Sequence, residues 1–247
     1  MILNLLRQQP KGLIRIFSVL IFLTITLRTS AQSRDGINLP DHDDKFYHLG
    51  IALIYNNSHF AVTPHPNLLA SDSVLFVNPE NTGGFGLAGM HTFNINPHLE
   101  FRIVFPQLMF SYKNLTYNTT FPSGQSTVAT KQIESILLGF PLQVKYLSDR
   151  MHNFRFYVLG GINYQYDLAS NATARKADDL VKVNPYDWSI EAGIGFQFFF
   201  PVFILSPELK ISNGIKNVHH RDPNLIYSNT IDKLRSRMII FSLIFEG

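Results

Sequence analysis

From residue 46 onward, apolar and polar side chains alternate with period two in eight successive runs. Period two is the repeat of a β-strand, whose neighbouring side chains point to opposite faces. The first run, 46–56, sets Tyr47, Leu49, Ile51, Leu53 and Tyr55 on one face and His48, Gly50 and Ala52 on the other. The second, 83–94, is glycine-rich with Phe85 and Leu87 on its apolar side. The third, 99–112, opposes Leu99, Phe101, Ile103 and Phe105 to Glu100 and Arg102. The fourth, 131–146, sets Ile136 to Tyr146 in alternation against Ser135, Gly139, Gln143 and Lys145. The fifth, 154–167, is the most regular, with Arg155, Tyr157, Asn163 and Gln165 on its polar face. Runs at 187–200, 203–212 and 237–245 complete the set and bring Glu191, Glu208 and Lys210 to polar faces.

The connections alternate long and short. Long ones cover 57–82, 113–130, 168–186 and 213–236; the short ones fall at 94–98, 148–153 and Pro201. This pattern predicts an all-β fold, an eight-stranded antiparallel transmembrane β-barrel of the outer-membrane type, with apolar faces to lipid and polar faces to the lumen. An even strand number puts both termini on the short-turn side, in the periplasm, and the long loops outside. The rival is a soluble eight-stranded barrel of lipocalin type, which turns its apolar faces inward. Pro106, Pro141 and Pro207 fall within runs; each removes a ladder donor, so bulges or bends are expected there.

Composition fits this reading. Only 16% of residues are charged while 21 are Phe, as a lipid-facing surface requires. The net charge of +3 gives no footing for nucleic acid. Absence of cysteine excludes disulfides, thiolate metal sites and cysteine catalysis. The N-terminus reads as a cleaved signal peptide, 1–31: Arg7, Lys11 and Arg15 flank an apolar core at 16–27, and Thr29-Ser30-Ala31 offers small residues for cleavage. That core is too short to span a bilayer, which takes roughly 20 residues. Residues 32–45 are polar and are expected to form a flexible periplasmic lead-in.

The inward charges are Glu100, Arg102, Lys145, Arg155, Glu191, Glu208 and Lys210. Eight strands enclose a space about filled by their own side chains. These residues are therefore expected to form an ion-pair plug of interleaved acids and bases, with no conducting pore; a proton path, a polar channel or a binding site is the alternative. His219-His220 near Asp222, with His59 and His65, are the residues a zinc site would use. Solvated loops are the simpler account, and no metal or cofactor is assigned. A lipid-ester hydrolase would need a Ser–His pair held by a third group. No spacing selects one and no Gly-x-Ser-x-Gly elbow occurs, so no enzyme is expected.

The last third carries a recognisable text. Leu205-Ser206-Pro207-Glu208-Leu209-Lys210 precedes a loop with Asn217-Val218. Then follow Tyr227-Ser228-Asn229-Thr230-Ile231-Asp232-Lys233-Leu234-Arg235-Ser236-Arg237 and a final strand. This resembles the PorT (SprT) family, outer-membrane components of the type IX secretion and gliding apparatus of Bacteroidota. The resemblance implies a non-enzymatic part in protein export and brings no catalytic motif with it. On that reading Tyr227, Asn229, Ile231, Asp232, Leu234, Arg235 and Arg237 form a candidate partner-contact loop for other secretion-system proteins; the alternative is that the segment packs over the barrel mouth and orders its own loop. Lys233, Arg235 and Arg237 carry the charge to meet lipopolysaccharide phosphates, beside the outer-membrane lipid itself. The alternatives are an OmpA/OmpX-like structural or adhesive barrel and a lipid-modifying enzyme.

Overall fold

The computed structural model describes residues 36–66, 74–120, 126–170, 181–221 and 226–247. The expected signal peptide, 1–31, lies outside them. Ile37–Gly247 form one compact unit.

Its strands are β1 (Tyr47–Pro64), β2 (Val74–Glu80), β3 (Thr82–Asn96), β4 (Leu99–Thr120), β5 (Ser126–Leu147), β6 (Phe154–Asp167), β7 (Tyr186–Phe199), β8 (Ile204–Gly214) and β9 (Ile231–Glu246). They form one antiparallel sheet in the order β2-β4-β3-β1-β9-β8-β7-β6-β5, and pairing of β4 with β5 closes it. β3 pairs with the first half of β4 and β2 with Asn114 to Thr119 of its second half. The two therefore share one stave, interrupted at Asn81, and the ring has eight staves.

Sidedness follows the predicted alternation. Outward Ile51 and Ile190 are 63% and 55% exposed, whereas inward Glu100 and Glu191 are 2% and 1% exposed. That is the reverse of a soluble lipocalin-type barrel. Aromatic pairs stand at both ends of the apolar wall. Phe154–Phe198 and Phe203–Phe245 lie at the end of the termini, with ring centroids 5.4 and 6.0 Å apart. Phe85–Phe110 and Tyr164–Trp188 lie at the other, at 5.0 and 4.9 Å. Along β1 the band runs from Tyr47 to Tyr55, about 20 Å of height for a tilted strand.

Beyond that band the strands continue, and here the expectation of long loops is corrected. β1 extends to Pro64, β4 to Thr120, β5 begins at Ser126 and β9 at Ile231. Most of the predicted connections 57–82, 113–130 and 213–236 is thus strand. The β4–β5 ladder runs in unbroken register from Gln107–Gly139 to Thr120–Ser126. The cause is an exchange of faces. Outside lipid the outward positions become polar (Asn114, Thr116), while the inward ones, Leu115 and Tyr117, are fully buried. Period two persists, but its polarity is inverted.

The prolines divide. β4–β5 register shifts between Ile103 and Gln107, a gap that contains Pro106 and faces Pro141. Pro207 causes no such shift: it pairs in register with Leu243. On the β7 side the ladder passes from Gly195–Glu208 to Phe198–Leu205 with its register kept.

The lead-in is not a free tail over its described part. A 3-10 turn, Pro40–His42, seats His42 in the barrel end with 3% exposure. The Asn38 backbone N–H donates to Asn153 Oδ1 at 2.8 Å and its Nδ2 to the Phe199 carbonyl at 2.9 Å. The Arg150 guanidinium lies 3.6 Å from the Phe199 ring centroid and donates to the carbonyls of Asn38 and Leu39.

Placing arginine at Ile51, in the middle of the apolar wall, is expected to cost about 2–4 kcal/mol of stability in a bilayer. Arginine at Gln132, on the outward face of the β5 extension, should cost under about 0.5 kcal/mol. Denaturant titration of the barrel folded into vesicles measures both; equal costs would mean the lipid boundary is misplaced.

Candidate functional site

The lumen holds the chain's buried charge. Arg102, from β4, reaches the opposite wall: β8 is four staves away in an eight-stave ring. Its Nη1 donates to Glu208 Oε2 at 2.8 Å and its Nη2 to Glu246 Oε1 at 3.1 Å. Tyr157 Oη donates to the same Glu208 Oε2 at 2.7 Å. Lys210 Nζ stands 3.8 Å from Glu208 and 3.3 Å from Glu191. Glu191 also accepts from Gln143 Nε2 at 2.7 Å and Asn163 Nδ2 at 3.0 Å. Lys145 Nζ pairs with Glu100 at 2.5 Å and lies 4.4 Å from the Tyr157 ring centroid.

Six of the seven predicted lumen residues are therefore joined through this network. The seventh, Arg155, sits apart at the terminal mouth, where its Nη2 meets Asp43 Oδ2 at 2.5 Å. Four carboxylates (Glu100, Glu191, Glu208, Glu246) face three cations (Arg102, Lys145, Lys210). The surplus acid is met by neutral donors: Ser206 and Gln197 bond Glu246 at 3.2 and 3.3 Å. Tyr157 fits at the centre because β7 carries Gly195 beside it. A Cβ there would stand 2.3 Å from the Tyr157 ring.

Glu246 was not among the predicted residues, although strict alternation past outward Phe245 points it inward. Asp43 and His42 were missed because their segment has no periodicity. The His42 and His48 rings lie 4.6 Å apart at this end, both buried.

Further along, the inward face is not uniformly polar. Ala52, Ile54, Met90, Val104, Met109 and Ile240 form a buried apolar cluster. A second polar layer follows, in which Lys113, Asp167 and Asp187 line a cavity of about 20 Å³, the size one water occupies. Above it the mouth is closed. Residues 181–184 and 217–220 cross it, joined by Asn184 N–H to the Val218 carbonyl at 2.7 Å and His220 N–H to the Lys182 carbonyl at 2.9 Å. Val181, Val183 and Val218 pack there on Phe60, Leu115, Tyr117, Ile231 and Leu234.

The predicted partner-contact loop is correspondingly divided. Tyr227 and Asn229 lie in a single helical turn, Ile226–Asn229, and Asn229 Oδ1 accepts from Arg221 at 2.6 Å. Ile231, Asp232, Leu234, Arg235 and Arg237 belong to β9, not to a loop. Ile231 and Leu234 are fully buried under the lid, so they hold this chain's own mouth together. Arg235 and Arg237 point outward and are exposed.

The structure does bring one Ser–His pair together, which spacing did not reveal. His219 Nε2 lies 3.0 Å from Ser228 Oγ. Both are buried within the lid, and burial lowers the His219 pKa. A nucleophile enclosed in this way meets no substrate; the bond pins the lid to the helical turn. Of the zinc candidates, His59 stands on the outer wall beside Arg237, and Asp222 lies outside the described residues. Among the described residues, no three His, Asp or Glu side chains converge as a metal set.

Residues 31–220 match the family model described as outer membrane protein beta-barrel domain. No curated protein matches the chain. Solved structures similar to it include the outer membrane protein OprG from Pseudomonas aeruginosa, at 11% identity and TM-score 0.47, covering 81% of this chain and 94% of OprG. Neisserial surface protein A is similar at 12% identity and TM-score 0.37, covering 79% and 95%. So is Ail, the attachment invasion locus protein of Yersinia pestis, at 8% and 0.36, covering 82% and 100%.

Arg102→Ala takes the guanidinium from two buried carboxylates, leaving Glu208 only Lys210 at 3.8 Å, and should cost about 3–5 kcal/mol in a denaturant titration. A loss under about 1 kcal/mol would remove the cross-barrel clamp. Asp43 tests the lower closure. Burial opposes its ionisation, but the nearby His42 imidazole and the Arg155 and Arg150 guanidiniums outweigh it and hold its pKa at about 2 against 3.8. A depressed carboxylate contributes stability above its unfolded value, and that contribution is lost as pH falls through the folded one. Protease protection of residues 37–43 should accordingly persist from neutral pH to about pH 4, vanish toward pH 2, and be lost at neutral pH in Asp43→Asn.

Proposed function

We propose that this chain, which belongs to the outer membrane protein β-barrel domain family, acts by contact rather than conduction, as a component of the type IX export machinery. The observation that carries the reading is a lumen closed three times over: by the segment at 37–43, by the Arg102–Glu208–Glu246 clamp, and by the lid at 181–184 and 217–220. With the interior filled, chemistry between this protein and others is left to its outer surfaces. The resemblance in residues 205–210 and 227–237 supplies the choice of export. Within that segment, Ile231 and Leu234 hold the mouth while Asn229, Asp232, Arg235 and Arg237 face outward for other secretion-system proteins. Both termini then lie in the periplasm and the strand extensions stand outside the cell.

Three measurements test this. Deleting the gene should abolish secretion of C-terminally tagged cargo, and the intact gene should restore it; undiminished export rejects the export role and favours a structural or adhesive barrel of the OmpA/OmpX kind. The purified protein should give no channel steps in planar bilayers. Glu134→Cys, in a chain with no other cysteine, should react with a membrane-impermeant maleimide on intact cells; protection there would reverse the orientation.

A further inference from the structure

The outward face of β9 changes character within one strand. Phe241 stands beside Tyr55 in the upper aromatic band, and Ile239 follows beside Asn57. The next three outward positions are Arg237, Arg235 and Lys233, all exposed. Consecutive outward residues are about 7 Å apart, so the column begins about 10 Å above the aromatic band and climbs from there.

Little acid opposes them among the described residues. Asp232 stands 3.8 Å from Lys233, and Glu80, on the far side of β1, is engaged by Thr116 at 2.7 Å. Arg235 and Arg237 pair across the ladder with Ala61 and His59, which bring no carboxylate. The corresponding outward positions of β4 and β5 carry no cation: they are Asn114, Thr116, Gln132 and Glu134.

We propose that Lys233, Arg235 and Arg237 form a binding site for the phosphorylated headgroup of an outer-leaflet glycolipid. The side chains project from the lipid-facing side of the wall, just past its apolar band, where a lipid's phosphate lies while its acyl chains cover Ile239 and Phe241. Two guanidiniums in a fixed column suit bidentate phosphate recognition. The site rests on the reading that this end of the barrel faces the outside.

Native mass spectrometry of the purified barrel with added lipid A tests it, using phosphorylated lipid A, dephosphorylated lipid A and phosphatidylglycerol as probes. Phosphorylated lipid A should be retained, with retention falling as salt rises. K233S/R235S/R237S should reduce retention by about tenfold or more, and dephosphorylated lipid A should be held no better than that. Equal retention by the variant, or of the dephosphorylated probe, or of phosphatidylglycerol, overturns the site. The probe comparison and the salt series use the native protein, so they decide the matter even where the triple variant folds poorly. Binding by purified protein is independent of sidedness, so a failed Glu134→Cys labelling and a failed lipid assay are separate results.

Discussion

A sheet in hydrocarbon cannot show an edge, because an unpaired backbone N–H or C=O there finds no water. Everything else in this barrel follows from the β4–β5 ladder that removes the edge. It starts at Leu99–Tyr146 and ends at Thr120–Ser126, interrupted only around Pro106 and Pro141. Closing at eight staves sets a diameter that side chains alone can fill. Each inward residue must then pack or pair, since there is neither bulk water nor space. Arg102 shows the consequence: it is long enough to reach β8 and β9 from β4, and fully buried in doing so.

Buried ions stabilise little against an apolar filling, yet losing one partner is costly. Such a network therefore does more to select one arrangement than to deepen it. Glu208 illustrates this, engaging Arg102, Tyr157 and Lys210 from three other positions of the wall. A slip of one residue in β8 would turn Glu208 and Lys210 to lipid and bring Pro207 and Leu209 inward. The charge network thus guards register where the outward face, apolar throughout, has no means to do so. The neutral donors around Glu246 do the remaining work of spreading an unmatched negative charge.

Much of this was legible in the sequence. Eight runs, their faces and the short turns were readable because lipid and lumen impose opposite polarity on adjacent residues. Six of the network's charged members were readable for the same reason. Three things were not. The strand extensions were hidden because Leu115 and Tyr117 carry the apolar positions on the inward side, contrary to the rule that holds within the membrane. Asp43 and His42 come from a segment whose placement depends on Asn153, Arg150 and Phe199, far away in sequence. The Ser228–His219 bond joins a helical turn to a lid segment through a fold that no local spacing reveals.

The inversion of faces also bears on where this molecule can act. Within the membrane the outer wall is apolar and the interior holds the charge network; above it the wall is polar and the interior ends in an apolar core. A lid of Val181, Val183 and Val218 completes the upper core in the way a soluble domain completes its own. Such a structure is rigid where loops of the same length would be mobile, since β4 and β5 stay paired as far as Thr120 and Ser126. Residues on its surface, Arg235 and Arg237 among them, are held at fixed heights and spacings above the bilayer. Recognition by a preordered surface avoids the ordering cost that a flexible loop incurs on binding. The long extensions are best understood in those terms, as a means of presenting side chains in a defined array next to the membrane.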